Sequence, residues 1–145
     1  AVQYEYSLWR REAESELLPT LRELGIALVA WSPLGAGFLT GTVDSLAKDD
    51  FRQHNPRYAG GNLSTNADRF APFVALAREL GVSPAQLALA WLLSRGGDVF
   101  PIPGTRRPAR VDENAAAADL RLDDDVLRRI DEIAPPGLAA GATLI

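Results

Sequence analysis

"ESELLPTLRELGIALVAWSPLGAG", residues 14–37, decides the fold. Leu17, Leu18, Leu21 and Leu24 recur at helical spacing, and Gly25 stands where a C-terminal cap belongs. Pro19 is tolerated only in a first turn, so the helix is expected to start near Ser15 or Glu16. The run that follows, "IALVAW" (26–31), is apolar throughout and closed by Pro33, the pattern of a strand buried on both faces of a parallel sheet. Upstream, "AVQYEYSL" (1–8) also reads as a strand. Strand, helix and strand make one βαβ unit, whose two strands run parallel.

Reading outward, residues 40–63 form a polar stretch with Asp49, Asp50, Arg52, Asn55, Pro56, Arg57 and paired glycines. A connection of that length is either a functional lid or disordered. A helix is expected from about Thr65 to Leu80, with Phe70, Phe73, Val74, Ala77 and Leu80 on one face and Gly81 closing it. The next opens with "SPAQ" (83–86): Ser83 as N-cap, Pro84 at the first helical position, Gln86 completing a capping box. Its body, "LALAWLLSR" (87–95), is apolar nearly all round and should be deeply buried. "VFPI" (99–102) gives a third short strand, "PARVDENAAAA" (108–118) a helix led by Pro108, and "DDDVLRRIDEIA" (123–134) an amphipathic helix capped by Asp123. The three aspartates at 123–125 are a helix start and not a metal site, because consecutive positions do not converge.

The order β-α-β-(long loop)-α-α-β-α-α implies the α/β class, a parallel sheet covered by helices. Three strands neither close a barrel nor complete a doubly wound sheet. The chain opens inside a strand and contains no methionine, so residues 1–145 are expected to be a single partial domain of a longer protein. Alone, such a piece should be poorly stable, since it leaves apolar strand faces and a sheet edge uncovered.

Composition narrows the functions. With 145 residues, 47% of them hydrophobic, the chain can bury a core. No apolar run approaches the roughly 18 residues a membrane span needs and no leader-like pattern opens the chain, which makes the cytoplasm the expected compartment and a membrane partner unexpected. The absence of cysteine removes thiolate chemistry and disulfides, and a lone His54 rules out a histidine metal cluster. A formal net charge of -4 argues against a general nucleic-acid binder while leaving room for a local basic pocket.

In parallel α/β architectures, sites form at the carboxyl ends of strands. Here those ends are "SLWRRE" (7–12), "SPLGAGFLTG" (32–41) and "PGTRRPAR" (103–110). The first offers little beyond nearby Gln3 and Tyr6; the second offers small residues and backbone amides that could approach a phosphate closely. The third supplies arginine forks, the Thr105 hydroxyl and the start of a helix whose dipole favours anions. Together the last two read as a phosphate-binding face. Plainer roles stand beside these: Trp31 as core at a strand end, Arg106 and Arg107 as a solvated pair, Glu113 and Asn114 as helix surface, Tyr4 and Tyr6 as packing, His54 as a loop residue.

"VQYEYSLWRRE", "LRELGIALVAWSPLGAGFLTG", "DDFRQHNPRYAGGN", "SPAQLALAWLL" and "PIPGTRRPARVDEN" resemble consecutive blocks of the aldo-keto reductases. The branch they resemble reduces aldehydes and ketones with NADPH and also contains potassium-channel β-subunits. The resemblance implies a (β/α)8 TIM barrel of which this chain is the C-terminal part, about strands six to eight with their helices, and residues 40–63 a loop over the cofactor face. It also implies a site, position by position. Gln3 matches the glutamine that holds the nicotinamide carboxamide, and Trp31 the aromatic that stacks on the nicotinamide ring. Ser32, Leu34 and Gly35 match the loop that wraps the pyrophosphate. Thr105 and Arg110 match the hydroxyl and arginine that grip the 2′-phosphate, and Glu113 and Asn114 the pair that reads the adenine amino group. Gly104 departs from the lysine found there in some branches, a charge that Arg106 or Arg107 could replace.

Catalysis in the resembled family uses Asp, Tyr, Lys and His, with tyrosine as general acid. None of the four matches a position here: Lys48 and His54 are the chain's sole lysine and histidine, both in the long loop. No catalytic and no metal residue is assigned, and the isolated chain is expected to be inactive. The implied partners are a small carbonyl substrate, the missing N-terminal half of the barrel or a second copy of the chain. A non-catalytic NADPH-binding regulatory subunit is the alternative. An unrelated glycosidase would need paired carboxylates at strand ends, which the second and third ends lack.

Overall fold

The structure, a computed structural model, describes residues 1–143. Three strands pair in chain order and all in parallel: β1 (Val2–Glu5), β2 (Leu28–Trp31) and β3 (Val99–Pro101), with Val2 beside Leu28 and Leu28 beside Val99. Helix α1 (Leu17–Glu23) links the first two. Helices α2 (Asn62–Glu79) and α3 (Pro84–Ser94) precede β3, and α4 (Pro108–Ala116) and α5 (Asp124–Ile133) follow it.

The strands are shorter than the sequence suggests. After Glu5 the chain turns, because the buried Ser7 hydroxyl accepts the amides of Trp9 and Arg10 at 3.1 and 3.2 Å and a bridge closes Ser7 on Arg10. Helix α1 starts at Leu17, so Pro19 falls in its first turn as required. Helix α2 starts at Asn62, three residues before the expected Thr65, and contains Pro72, which is exposed and whose missing N–H costs one helical bond. Leu80, expected on its buried face, is exposed, while Leu76 is buried in its place. The capping box at Ser83 forms in both directions, and Asp123 caps α5 through the Val126 amide at 2.9 Å.

Strand β2 also departs from expectation. Side chains alternate across a strand, and Leu28, Ala30 and Val99 are buried against helices whereas Val29 and Trp31 are half-buried and Phe100 is 52% exposed. The apolar run is therefore covered on one face only. Helix α3 carries the covered side: Ala85 and Leu87 to Leu92 are buried, and the Trp91 ring meets Tyr6 at 5.6 Å with the Arg11 and Arg95 guanidinium carbons at 4.9 and 5.1 Å. Arg11, itself buried, binds Glu14 at 2.7 Å, Asp131 at 2.9 Å and the Ala134 carbonyl at 2.8 Å, which fastens the turn after β1 to the end of α5. Burial and the adjacent Glu14 carboxylate push the Tyr6 hydroxyl well above its ordinary range, and it donates to Glu14 at 2.9 Å.

The segment beyond α5 is strapped to α2. Asn66, with no exposed surface, donates to the carbonyls of Arg57 and Ala140 at 3.0 and 3.1 Å and accepts the Ala140 amide at 2.7 Å. Arg69 adds a bond to the Leu138 carbonyl at 2.7 Å. Replacing Asn66 with leucine keeps the volume but strands these backbone groups, each costing on the order of 1–3 kcal/mol when buried without a partner. Asn66→Leu is expected to lower stability to chemical denaturation by roughly that amount or more, whereas Arg69→Ala should fall within about 1 kcal/mol of wild type.

Candidate functional site

The carboxyl ends of β2 and β3 bound one cleft of about 540 Å³. Its first wall is the turn after β2, where Ser32, Leu34, Ala36 and Gly37 line the opening. Its second wall is the β3–α4 connection, from Ile102 through Gly104, Thr105, Arg106 and Arg107, with Arg110 and Asn114 from α4. Ala85, at the start of α3, and Pro103 add apolar lining. The long segment contributes Thr42, Val43 and Arg52.

The first wall is an unusual piece of backbone. Ser32 and Ala36 have φ of 52°, Gly35 56° and Gly37 94°, so four of six residues sit in the left-handed region and two of them carry a Cβ. Sequence reasoning expected open amides here. The amides of Gly35, Ala36 and Gly37 instead turn inward, to the Ser32 carbonyl at 2.9 Å, the Ser32 hydroxyl at 3.1 Å and the Leu34 carbonyl at 3.0 Å. Gly35 is buried under the turn, where a Cβ would stand 2.5 Å from the Trp9 ring.

The second wall is exposed and cationic. Thr105 accepts the Arg107 amide through its hydroxyl at 3.1 Å, turning the chain into α4. Arg107 makes no side-chain bond to the first turn of that helix, and Pro108 occupies its first position, so the positive end of the dipole faces the arginines. Arg110 and Glu113 are paired at 2.5 Å, and the Ser83 hydroxyl followed by Arg110 holds the Glu113 carboxyl below its ordinary value. A bound anion would share Arg110 with Glu113.

Gln3 and Trp31 lie outside this cleft. They sit on the uncovered face of the sheet, Gln3 beside Val29 and Trp31 beside Glu5, which itself holds Arg10 at 2.5 Å. Lys48 and His54 are exposed and line no part of the cleft, His54 resting its Nδ1 3.2 Å from the Phe51 carbonyl. Among the described residues no group of His, Cys, Asp and Glu could hold a metal ion, and no helix is long and apolar enough to cross a membrane.

Arg52 is the residue that sequence reasoning placed in the long loop without a role. Asp50 grips it through Nε and Nη2 at 3.0 and 2.6 Å, and its Nη1 reaches the Ala36 carbonyl at 3.1 Å, so the loop touches the turn and adds a fourth arginine to the cleft. An acid two residues before an arginine, forming a local clasp, was the available signal.

A glycine-bearing turn and an arginine-rich connection thus stand side by side at adjacent parallel strand ends. The aldo/keto reductase family model matches residues 1–135. The chain belongs to this family. It is 43% identical over 143 residues to a probable aldo-keto reductase 1 from Glycine max, covering 97% of this chain and 41% of that protein. The glycerol dehydrogenase AKR11B4 from Gluconobacter oxydans superposes with a TM-score of 0.82 at 26% identity, over 93% of this chain and 43% of that one. An aldo-keto reductase from Klebsiella pneumoniae solved with NADPH gives 0.67 at 28% identity, over 92% and 39%. The chain thus spans less than half the length of these relatives, and its fold is part of a (β/α)8 barrel. Its three parallel strands and their helices are the α/β partial barrel that the sequence led us to expect.

Hydrogen bonds from the Arg52 side chain and amide hold the Asp50 carboxyl down to about 2, against an ordinary 3.8. Because the folded value is depressed, the clasp favours the folded state fully above pH 3.8 and is lost as pH falls through about 2. A carboxyl-detected NMR titration should give Asp50 a midpoint near 2 in the native protein and a higher one, still below the ordinary 3.8, in Arg52→Gln, which loses the guanidinium but keeps the amide bond at 2.9 Å.

Proposed function

We propose that this chain is the cofactor-holding part of an NADPH-dependent aldo-keto reductase that converts small aldehydes or ketones to alcohols. The observation that carries the reading is the gathering of Arg52, Arg106, Arg107 and Arg110 on one cleft at the strand ends of a chain whose net charge is -4. Such a cluster suits a ligand with several phosphates, and an arginine fork matches phosphate oxygens in pairs.

The residues present fit the cofactor in two stretches. The arginine wall, Thr105 and the uncapped start of α4 suit the 2′-phosphate, and Glu113 with Asn114, one turn further on, suit the adenine amino group. Ser32 and Leu34 form the wall that the pyrophosphate would follow, with Gly35 giving that wall its curvature from beneath. Gln3 and Trp31, on the sheet face next to it, offer an amide for the carboxamide and a ring for the nicotinamide. When bound, NADPH supplies the hydride that reduces the carbonyl carbon. This chain's own part is to bind, orient and screen: Trp31 covers one ring face, Gln3 fixes the ring's rotation, and the 40–61 segment brings Arg52 across the phosphates. In this reading the general acid lies outside this stretch, since none of Tyr4, Tyr6 and Tyr58 lines the cleft, and neither do Lys48 and His54.

Direct titration of the full-length protein with NADPH and NADH tests the reading. Arg110→Gln should weaken NADPH roughly tenfold to a hundredfold, the scale of one charge-assisted bond, and leave NADH within about threefold. Equal NADPH affinity in wild type and variant would sink the assignment. Gly104 has open space around an imagined Cβ and no left-handed φ, so a longer side chain fits. Gly104→Lys should therefore tighten NADPH roughly threefold to tenfold without tightening NADH.

A further inference from the structure

Tyr58 is nine-tenths buried in a segment that is otherwise largely exposed, and nothing in the reading above uses it. Its hydroxyl donates to the Gly35 carbonyl at 2.8 Å, and its ring stands edge-on to Trp9 at 5.1 Å and 83°. The same carbonyl accepts the Phe38 amide at 3.0 Å, so both of its lone pairs are engaged. Trp9 in turn stacks on Phe38 at 4.2 Å and lies directly beneath Gly35.

These contacts meet at the strained turn. Left-handed φ at Ser32 and Ala36 is costly for residues with a Cβ and persists where surroundings over-determine it. From inside, the Ser32 hydroxyl holds the Ala36 amide. From below, Trp9 fixes the height of Gly35. From the side, the long segment supplies the Tyr58 hydroxyl on Gly35 and Arg52 on the Ala36 carbonyl. Arg57, next to Tyr58, anchors that segment by placing its guanidinium 5.3 Å over the Trp9 ring and donating to the Trp9 carbonyl. Burial raises the Tyr58 hydroxyl to about 12, so it remains a protonated donor throughout the physiological range.

We propose that Tyr58 is a positioning residue for the cofactor: bonded to Gly35 and braced on Trp9, it sets the shape of the 32–37 wall of the cleft. The long segment then does more than cover the site, since it determines the wall against which the pyrophosphate lies. This rests on the reading that the cleft takes NADPH, and the test separates the two.

Tyr58→Phe in the full-length protein keeps the ring and removes the hydroxyl. Without cofactor, amide exchange at Gly37 and Phe38 should accelerate roughly threefold or more relative to wild type, while Ile26, bonded to Leu21 at the far end of β2, is unchanged. NADPH should bind roughly threefold to tenfold more weakly. Adenosine 2′-monophosphate, which carries the 2′-phosphate but no pyrophosphate, should bind the variant within about twofold of wild type. A general loss of structure would weaken both ligands equally and count against positioning, as would unchanged exchange at Gly37 and Phe38. Unchanged NADPH affinity in the variant beside measurable binding in wild type would likewise overturn it. If wild type bound no NADPH while the exchange effect appeared, the brace on the turn would stand and both its cofactor role and the functional reading would fall.

Discussion

Alternation of side chains along a strand is the constraint from which the rest of this chain follows. Three parallel strands present Leu28, Ala30 and Val99 to the helices, and the same pleat turns Val29, Trp31 and Phe100 to the other side. On the first side the order of burial is set by α3, whose apolar surface reaches nearly all the way round. On the second side Val29 and Trp31 are half-buried and Phe100 exposed, so the described residues build no full layer there. A partial barrel with a fully built outer wall and an open inner one is the outcome, and it agrees with a chain that covers 41–43% of its longer relatives.

Because all three strands point the same way, their carboxyl ends lie along one rim, and that rim collects the polar chemistry. The β2 end contributes curvature and the β3 end contributes charge. Neither is sufficient alone: the turn has its amides folded inward, and Arg106 and Arg107 of the connection are exposed side chains with little between them to orient a ligand. Placed side by side across the cleft, they give a shaped wall opposite a charged one.

Much of this was legible from residue order. The cap signals at Gly25, Ser83 and Asp123 worked because each is a local contest between one side chain and a few backbone groups, decided within four residues of sequence. The arginine connection was legible for the same reason. What the sequence did not disclose depended on distance. Trp9 reads as one more aromatic after a strand, and nothing local says that it lies under Gly35, 26 positions later. Tyr58 and Arg52 sit in a stretch whose composition suggests a solvated loop, and their roles appear only when the chain is closed back on the β2 turn. The expectation that "IALVAW" is buried on both faces failed for a related reason: hydrophobicity records what a strand is suited to pack against, and the described residues supply a full partner layer on one face only.

The cation at Arg57 has an implication for the order in which the molecule assembles. Its partners are carbonyl groups, of Trp9 in the turn after β1 and of Gly141 beyond α5, and burial lowers its pKa while Glu12 and Glu5 act in the opposite direction. The Gly141 contact spans 84 positions and the neighbouring Asn66–Ala140 contact 74, so both must wait for long loops to close. Until Gly141 docks, the guanidinium lacks part of its dipolar cage. The segment that shapes the cleft is thus held in part by residues that follow it by more than seventy positions, so the form of the cleft wall depends on the docking of the stretch beyond α5.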